Sequence, residues 1–417
     1  MSGRLLSAII YSLLGAHQAL VHAAGFGLSE QSGSGLGNAY AGAAAVAEDA
    51  STIYFNPAGM TYLHGTQLVG ALFAIKPTGH FHNADPSATG SEGGDIGTWA
   101  FLPNLYYKQE LASNLQFGIG ISSPFGLKTE YDRDWIGRFQ GVKSELKTIN
   151  INPSLAWKMN DQLSLGVGIS AMWAKADLSS VANLTGFGLG QPLVRNQGDD
   201  WGFGFNLGAI YQITPDTRIG LAYRSKVTQQ LEGKSKSSVT ALNGLPSNTL
   251  NTDIKADITL PESLAFSTFS QLNERWDLLT DITWTRWSQF KNLSVIRDNG
   301  SNSILSSTTE HWNNTLRYSA GLNYRFSETL KLRSGVAYDQ EAIDNKHRTV
   351  RIPGNDRIWL SAGFSWQYSA QTTLDAGYAY LFIKDAHIHD DTPGKGLVSG
   401  EYSGHANILT VQLSHTF

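Results

Sequence analysis

RYSAGLNYRFSETLKLR, residues 317–333, holds the pattern that decides the fold. Tyr318, Ala320, Leu322, Tyr324 and Phe326 fall on one face of an extended chain, and Arg317, Ser319, Gly321, Asn323 and Arg325 on the other. A period of two marks a strand whose two faces meet different surroundings. Ser327-Glu328-Thr329 has turn chemistry, after which Lys331 and Arg333 resume the polar face. The pattern recurs at 358–368, where Ile358, Leu360, Ala362, Phe364, Trp366 and Tyr368 oppose Ser361, Gly363, Ser365 and Gln367. Asp277, Asp281 and Asp375 also fall on polar faces.

From Gln67 onward such runs are separated by breaks that alternate between short and long. The short ones are Ala112-Ser113-Asn114, Asn160-Asp161, Thr214-Pro215-Asp216, Asn273-Glu274-Arg275, Ser327-Glu328-Thr329 and Ser369-Ala370-Gln371. The long ones are the polar or Gly-rich stretches 78–97, 179–200, 233–252, 291–310, 341–356 and 384–404. Short turns at one end and long loops at the other are the signature of an outer-membrane barrel. Six short turns join six strand pairs, and one strand at each end brings the expected count to fourteen antiparallel strands, from Thr66–Lys76 to His405–Phe417. A soluble sandwich or propeller explains the strands but neither the asymmetry of the loops nor the consistent faces. The polar face is therefore assigned to the lumen and the apolar face to lipid. Trp157, Trp173, Trp201, Trp276, Trp284 and Tyr368 lie near strand ends, as interfacial girdles require. The terminal Phe417 is in phase with Leu409, Val411 and Leu413.

The rest of the chain agrees. Arg4, an apolar run from Leu5 to Leu14 and Val21-His22-Ala23 form a secretory leader, so the mature chain is expected to begin at Ala24. That run is shorter than the ~20 residues of a spanning helix. With 31 Lys and Arg against 35 Asp and Glu, the net charge of −4 argues against nucleic acid as a partner. The chain has no Cys, hence no disulfide and no thiolate site. AGFGLSEQSGSGLGNAYAGAAAVAEDASTIYFNPAGMTY, residues 24–62, has no period of two; Ala39 to Asp49 reads as a short helix and Asn56-Pro57 as a turn. A segment of this size is too small for a core of its own, whereas inside a wide barrel it can use the barrel's walls. The expected organisation is a leader over 1–23, a luminal hatch with short helices over 24–64, and a transmembrane all-β barrel over 65–417.

Ala24-Gly25-Phe26, Ser34-Gly35-Leu36-Gly37 with Ala39-Tyr40, Glu48-Asp49 and Asn56-Pro57-Ala58 resemble the outer-membrane family of long-chain fatty acid and aromatic-hydrocarbon transporters. The resemblance continues through Phe125-Gly126-Leu127, Trp201-Gly202-Phe203-Gly204, Tyr223-Arg224-Ser225, Leu260-Pro261-Glu262, Trp287-Ser288-Gln289-Phe290 and Ile352-Pro353 with Asp356-Arg357. It implies a fourteen-stranded barrel plugged by its N-terminal hatch. It also implies capture of hydrophobic substrate by loops, a pocket reached by Phe26, and sideways exit at an inward kink of the third strand. In this chain that strand is 115–122, followed by Ser123-Pro124-Phe125-Gly126. Pro124 lacks a ladder donor and Gly126 admits unusual backbone angles, so pairing fails there; the same residues are also compatible with a strand that simply ends at its loop. Asn56, Pro57 and Ala58 are expected as a hatch turn facing the wall opening. Glu48 and Asp49 are expected to pair with Arg317, Arg325 or Arg333. The basic residues that meet a fatty carboxylate in the family align with Ser180 and Thr308; Arg138, in Trp135-Ile136-Gly137-Arg138-Phe139, is read either as a substitute cation or as a solvated loop arginine, and a neutral hydrocarbon or ester needs no cation.

Catalytic readings fare poorly. No Gly-x-Ser-x-Gly elbow occurs, and the glycines of 33–42 fail the Gly-x-Gly-x-x-Gly spacing of a phosphate loop. His80-x-His82 and His387-x-His389 with Asp390 and Asp391 offer metal-ligand chemistry, but their loop context favours solvated side chains. No catalytic residue, metal site or cofactor is expected. The expected function is passive uptake of hydrophobic compounds, foremost long-chain fatty acids, across the bacterial outer membrane by a monomer in contact with outer-membrane lipid and lipopolysaccharide. The alternatives are a carrier of aromatic or other neutral hydrocarbons, a surface adhesin or receptor barrel, and behind these a barrel lipase.

Overall fold

In the computed structural model every described strand belongs to one antiparallel sheet that closes on itself, the first strand, Gln67–Asn83, pairing with the last, Gly396–Thr416, from Gln67↔Thr416 to Asn83↔Gly400. Residues 25–187, 190–237 and 251–417 are described. The leader expected over 1–23, and parts of the stretches 179–200 and 233–252, lie outside them. The barrel has the expected fourteen strands, and the six short turns fall where the sequence places them.

Five strands are interrupted. The third consists of Leu115–Ser122 and Gly126–Glu130, the seventh of Thr217–Arg224 and Val227–Ser237, and the eighth of Thr252–Leu260 and Ser263–Gln271. The ninth consists of Trp276–Thr285 and Asn292–Arg297, and the tenth of Ile304–Thr309 and Thr315–Arg325. Proline stands in the third and eighth breaks, at Pro124 and Pro261, where it cannot donate to a ladder. In the ninth, Trp287 and Phe290 are buried between the two segments.

Two of the long stretches read as loops are strand. Residues 384–404 continue the thirteenth strand, Thr372–Thr392, and the fourteenth as far as the pair Thr392↔Gly396. Buried Ala386, Ile388, Val398 and Tyr402 alternate there with exposed His387 and His389. The outer face in this region is polar, so it carries no apolar stripe to announce a strand. Residues 291–310 likewise form a hairpin, with Asn292↔Thr309 at its base.

The two faces of the wall separate as read. Tyr318, Leu322, Ile358, Leu360, Trp366, Tyr368, Leu409, Val411, Leu413 and Phe417 are exposed on the outside. Asn323, Asp277, Asp281, Arg333, Asp375 and Gln412 are buried within. What buries them is the segment 25–63. It contains the one-turn helices Gly33–Leu36, Ala43–Val46 and Thr52–Phe55 and the 3-10 helix Pro57–Tyr62. The helix read over 39–49 is broken, because Ala39, Tyr40, Gly42 and Ala47 take left-handed backbone angles (φ 49°, 59°, 73° and 45°). The small side chains instead let the backbone lie against the wall: a Cβ at Gly220 would collide with the Ala44 carbonyl, and one at Gly335 with the backbone of Asn38. Wall side chains satisfy the irregular backbone. Gly33 N donates to Gln412 Oε1 (2.8 Å) and Ala44 N to Ser267 Oγ (3.0 Å), while Asn38 Nδ2 donates to the carbonyls of Leu322 (3.1 Å) and Ser334 (3.2 Å). No helix among the described residues is long and apolar enough to cross a membrane.

Candidate functional site

Leu115–Ser122 of the third strand pairs with a neighbour on each side, but Gly126–Glu130 pairs only with the fourth strand, Lys143–Lys158. Between the pairs Ser122↔Asn150 and Gly126↔Lys147 the third strand advances four residues against three, so it carries one residue too many and bends away. Its pairing with the second strand, Ala100–Ala112, ends at Leu105↔Ile121. Residues 100–104 therefore have no ladder partner on that side, and the wall is open there.

The start of the luminal segment occupies this break. Leu28 N donates to Pro124 O and Gly126 N to Phe26 O (both 2.9 Å), around an isolated antiparallel bridge between Gly27 and Phe125. Across the opening Asn104 Nδ2 donates to Glu30 O and the Tyr106 hydroxyl to Gln31 O (both 2.8 Å). Gln31 Nε2 donates to Ser123 O at 2.9 Å. Residues 26–31 thus bond to both lips of the gap. Thr148 holds the bend itself, its hydroxyl donating to Phe125 O (2.6 Å) and accepting from Phe125 N (3.1 Å).

Phe26 is 3% exposed, inside an aromatic cage of Trp287, Trp312, Phe290 and Phe125 with ring centroids 4.7, 5.4, 5.6 and 6.2 Å away. Gly25 precedes it in the left-handed region (φ 42°), where a Cβ would strike Trp312 and Trp287, so only glycine fits. Gly25 N donates to buried Glu341 Oε1 at 3.1 Å. Above Phe26 lies an apolar cavity of about 70 Å³ lined by Leu146, Leu231, Ile258, Phe290, Leu293 and Ile352. Beneath Gly27 and Leu28 lies a second, of about 180 Å³, bounded by Pro124, Phe125, Tyr40, Phe55, Arg224 and Arg317. Residues 26–28 separate the two.

The charged groups sort by cavity. Arg351, in the loop after the eleventh strand, and Glu310, in the break of the tenth, reach the upper cavity. Burial pushes Glu310 up to about 7 and Arg351 down to about 10. Glu30, in the segment that covers the gap, is likewise pushed up to about 7 by burial. Glu48 meets Lys331 (2.5 Å) and Arg333 (2.9 Å). Asp49 instead accepts from Ser34 Oγ (2.6 Å) and Gln412 Nε2 (2.9 Å). Arg317 donates to Ala39 O and Arg325 pairs with Asp277.

Of the other residues singled out in the sequence, Asn56, Pro57 and Ala58 bond to no residue of the third-strand break, although the 3-10 helix they begin packs against Leu115–Ser122 through Met60. Asn56 Nδ2 donates to Ala44 O (2.7 Å) and Ala209 O (3.0 Å), and Ala58 abuts Gly166, so this turn faces the fifth to seventh strands rather than the opening. The reason is local: Asn56 Oδ1 caps the 3-10 helix at Ala58 N (3.1 Å), and Gly166 and Gly208 leave room for the turn on that wall. Arg138 lies among the outer loops over Phe139, donating to Gln191 Oε1, Thr89 O and Trp135 O, and reaches neither cavity. Ser180 alternates with buried Ser179 and Val181 and so faces outward, while Thr308 pairs with Leu293 at the upper cavity. His387 pairs with Glu401 on the outer surface, and no cluster of three or more metal-ligating side chains occurs among the described residues. Sequence reasoning missed Arg351 and Glu310; for Arg351 the available signal was its place directly before Ile352-Pro353.

The family described as outer membrane protein transport protein (OMPP1/FadL/TodX) matches residues 12–417. A long-chain fatty acid transport protein of Escherichia coli O6:H1 is 31% identical over 429 residues, covering 94% of each chain. The crystal structure of a Pseudomonas aeruginosa FadL homologue superposes with a TM-score of 0.88 at 24% identity, over 94% of this chain and all of that one. The Ralstonia pickettii toluene transporter TbuX gives 0.68 at 20% identity, over 94% of this chain and 98% of its own. This chain belongs to the OMPP1/FadL/TodX family of outer-membrane transport proteins.

Proposed function

We propose that this outer-membrane transporter of hydrophobic compounds carries long-chain fatty acids, with residues 26–31 as its gate and the third-strand break as its exit. The observation that carries the reading is the position of Phe26 to Leu28, bonded to the wall break and standing between two cavities. The upper cavity, at about 70 Å³, holds only a few waters at ~15 Å³ each. An acyl chain enters only by displacing Phe26.

The magnitudes permit this. Withdrawing Phe26 from its cage costs ~1.5–3 kcal/mol, and the two backbone bonds at Pro124 and Gly126 contribute ~0.5–1.5 kcal/mol each. The side-chain bonds of Asn104, Tyr106 and Gln31 contribute as much again each. Burial of acyl chain contributes ~0.8 kcal/mol per methylene, so ~5 to 13 buried methylenes, within the length of a long chain, offset the whole closure. Release of residues 26–31 from Pro124, Gly126, Asn104 and Tyr106 uncovers the gap, and the cargo leaves into the outer leaflet without an energy source. Loop capture, the monomeric state and contact with lipopolysaccharide complete the proposal. The hatch is residues 24–64, following a cleaved leader.

A carrier of aromatic hydrocarbons is the second reading, and one observation favours it: the lower cavity, at about 180 Å³, exceeds the ~150 Å³ that admits benzene. Arg224, Arg317, Asp281 and Asp339 line that cavity, a polar setting that a neutral ring does not repay.

Uptake of radiolabelled oleate and toluene by cells expressing wild type or a Pro124 deletion tests the proposal. The deletion removes the extra residue and restores regular pairing. Loss of oleate uptake with the barrel still folded in the outer membrane is the expected result; undiminished uptake would overturn the lateral route.

A further inference from the structure

Arg351 combines three features within the described residues. It lines a largely apolar cavity whose other charged residues are Glu145 and Glu310, no carboxylate oxygen lies within 4.0 Å of its guanidinium, and only its Nη1 is engaged by the bonds the structure shows. Those bonds run from Nη1 to Lys143 O (3.1 Å), Ser144 Oγ (3.1 Å) and Ser179 O (3.4 Å). They fix the side chain to the fourth and fifth strands without neutralising it. A charged group beside aliphatic walls is unfavourable unless an anion completes it, and a planar guanidinium matches a carboxylate in geometry.

We propose that Arg351 is the headgroup anchor of the upper cavity, taking the carboxylate of an unbranched amphiphile whose tail replaces Phe26 against Leu146, Ile258, Phe290 and Ile352. The inference rests on the transport reading above and narrows its substrate class to anionic amphiphiles. Arg138, held among the outer loops, has no part in it.

The neighbouring ionisable groups set a pH dependence. Glu145 of the fourth strand also lines the cavity but is occupied by Lys143 (2.8 Å) and Lys147 (2.9 Å). Tyr131, Asp390 and Lys395 are the other ionisable groups that act on Arg351 or Glu310. Burial keeps Tyr131 neutral by pushing its phenol well up. Glu310 Oε2 accepts from Trp312 Nε1 at 2.9 Å, and its acid, raised to about 7, is uncharged below neutrality. An incoming carboxylate therefore meets Arg351 beside a neutral acid at pH 6 and beside a second anion at pH 8.5, and binding weakens as pH rises between them.

Equilibrium binding of oleate and of methyl oleate to the purified barrel in neutral detergent, read by tryptophan fluorescence, tests the anchor. Wild type is expected to bind oleate at least tenfold more tightly than the ester at pH 6. R351M should erase the difference by weakening oleate, and R351K should restore part of it. E310Q should flatten the oleate profile between pH 6 and 8.5. Equal wild-type affinities, or a preference that survives in R351M, would overturn the anchor while leaving the cavity reading intact, because the ester still binds. Failure of both ligands to bind wild type would overturn the cavity reading and the anchor with it. Should R351M not fold, the wild-type comparison and R351K decide.

Discussion

Gly27 and Phe125 face each other as an antiparallel bridge, although one belongs to the luminal segment and the other to the barrel wall. The flanking bonds, Leu28 N to Pro124 O and Gly126 N to Phe26 O, make this a non-hydrogen-bonded pair, the closer of the two antiparallel geometries, with Cα atoms ~4.5 Å apart. That spacing lies within the range of a disulfide. A Cβ at Gly27 meets Trp287 at 3.5 Å, ordinary contact, so a cysteine fits. The chain has no other Cys to interfere. The double variant Gly27→Cys/Phe125→Cys is expected to lose hydrophobic uptake when oxidised and regain it with reductant. Uptake that is indifferent to the redox state would show that the gate does not part from the wall here.

Phe26→Ala addresses the cost of opening. Burial of the ring stabilises the closed arrangement by the same ~1.5–3 kcal/mol that its withdrawal costs, and Phe26→Ala loses this from the closed arrangement alone, because in the open one the ring is already displaced. With tenfold in affinity per ~1.4 kcal/mol, oleate should bind at least tenfold more tightly to Phe26→Ala than to wild type. Weaker binding would mean that the ring contacts the cargo instead of yielding to it.

The alternation of residues 317–333 revealed the barrel because its two faces meet two solvents, and lipid against lumen is the strongest contrast a strand can carry. Where the contrast fades the reading failed. His387 and His389 stand on the outer face of a strand beyond the lipid band, so residues 384–404 look like loop. Ala39 and Tyr40 sit in a left-handed conformation that only close packing against the wall imposes, so no local propensity betrays it. Pro124 and Gly126 were legible as a break, since missing donors and missing side chains are local properties. That Phe26 and Leu28 take up the bonds the break leaves is not, because the partners are about a hundred residues apart. Arg351 was missed for a similar reason: its place before Ile352-Pro353 marks the loop, but the loop's folding over Lys143 and Ser144 is what brings the side chain to the cavity.

Glu48 makes the hatch sensitive to acid. Burial raises its carboxyl, but Arg333 and Lys331 overcome that and hold it at about 2, below the ordinary 4.5. A depressed carboxylate stabilises the closed arrangement fully above ~4.5 and loses this as pH falls through about 2; a shift of this size corresponds to at most ~3 kcal/mol. In Glu48→Gln the contribution is absent at every pH. Hydrogen exchange over residues 33–49 should therefore be faster in Glu48→Gln than in wild type at pH 7, and the difference should shrink on going to pH 3. A difference of the same size at both values would assign the effect to packing rather than to charge.

Gly220 tests whether the wall's glycines exist for the luminal segment. In a strand, Gly→Ala ordinarily lowers the entropic cost of folding and favours the extended chain. Here the added methyl would fall on the Ala44 carbonyl, whose residue is otherwise fixed by Ala44 N donating to Ser267 Oγ at 3.0 Å. The backbone cannot give way without also disturbing Asn56, which donates to the same carbonyl at 2.7 Å, so the strain spreads to the turn at Pro57. Nothing in the strand pairing is lost, since Gly220 keeps Ile210 and Ser267 as its register partners. Gly220→Ala should accordingly leave the barrel folded and its resistance to heat unchanged, while loosening the plug that fills the lumen. In planar bilayers the variant is expected to conduct ions more than wild type, with brief openings above a closed baseline. Identical conductance, together with unchanged hydrogen exchange at residues 43–57, would show that the hatch absorbs the methyl without moving.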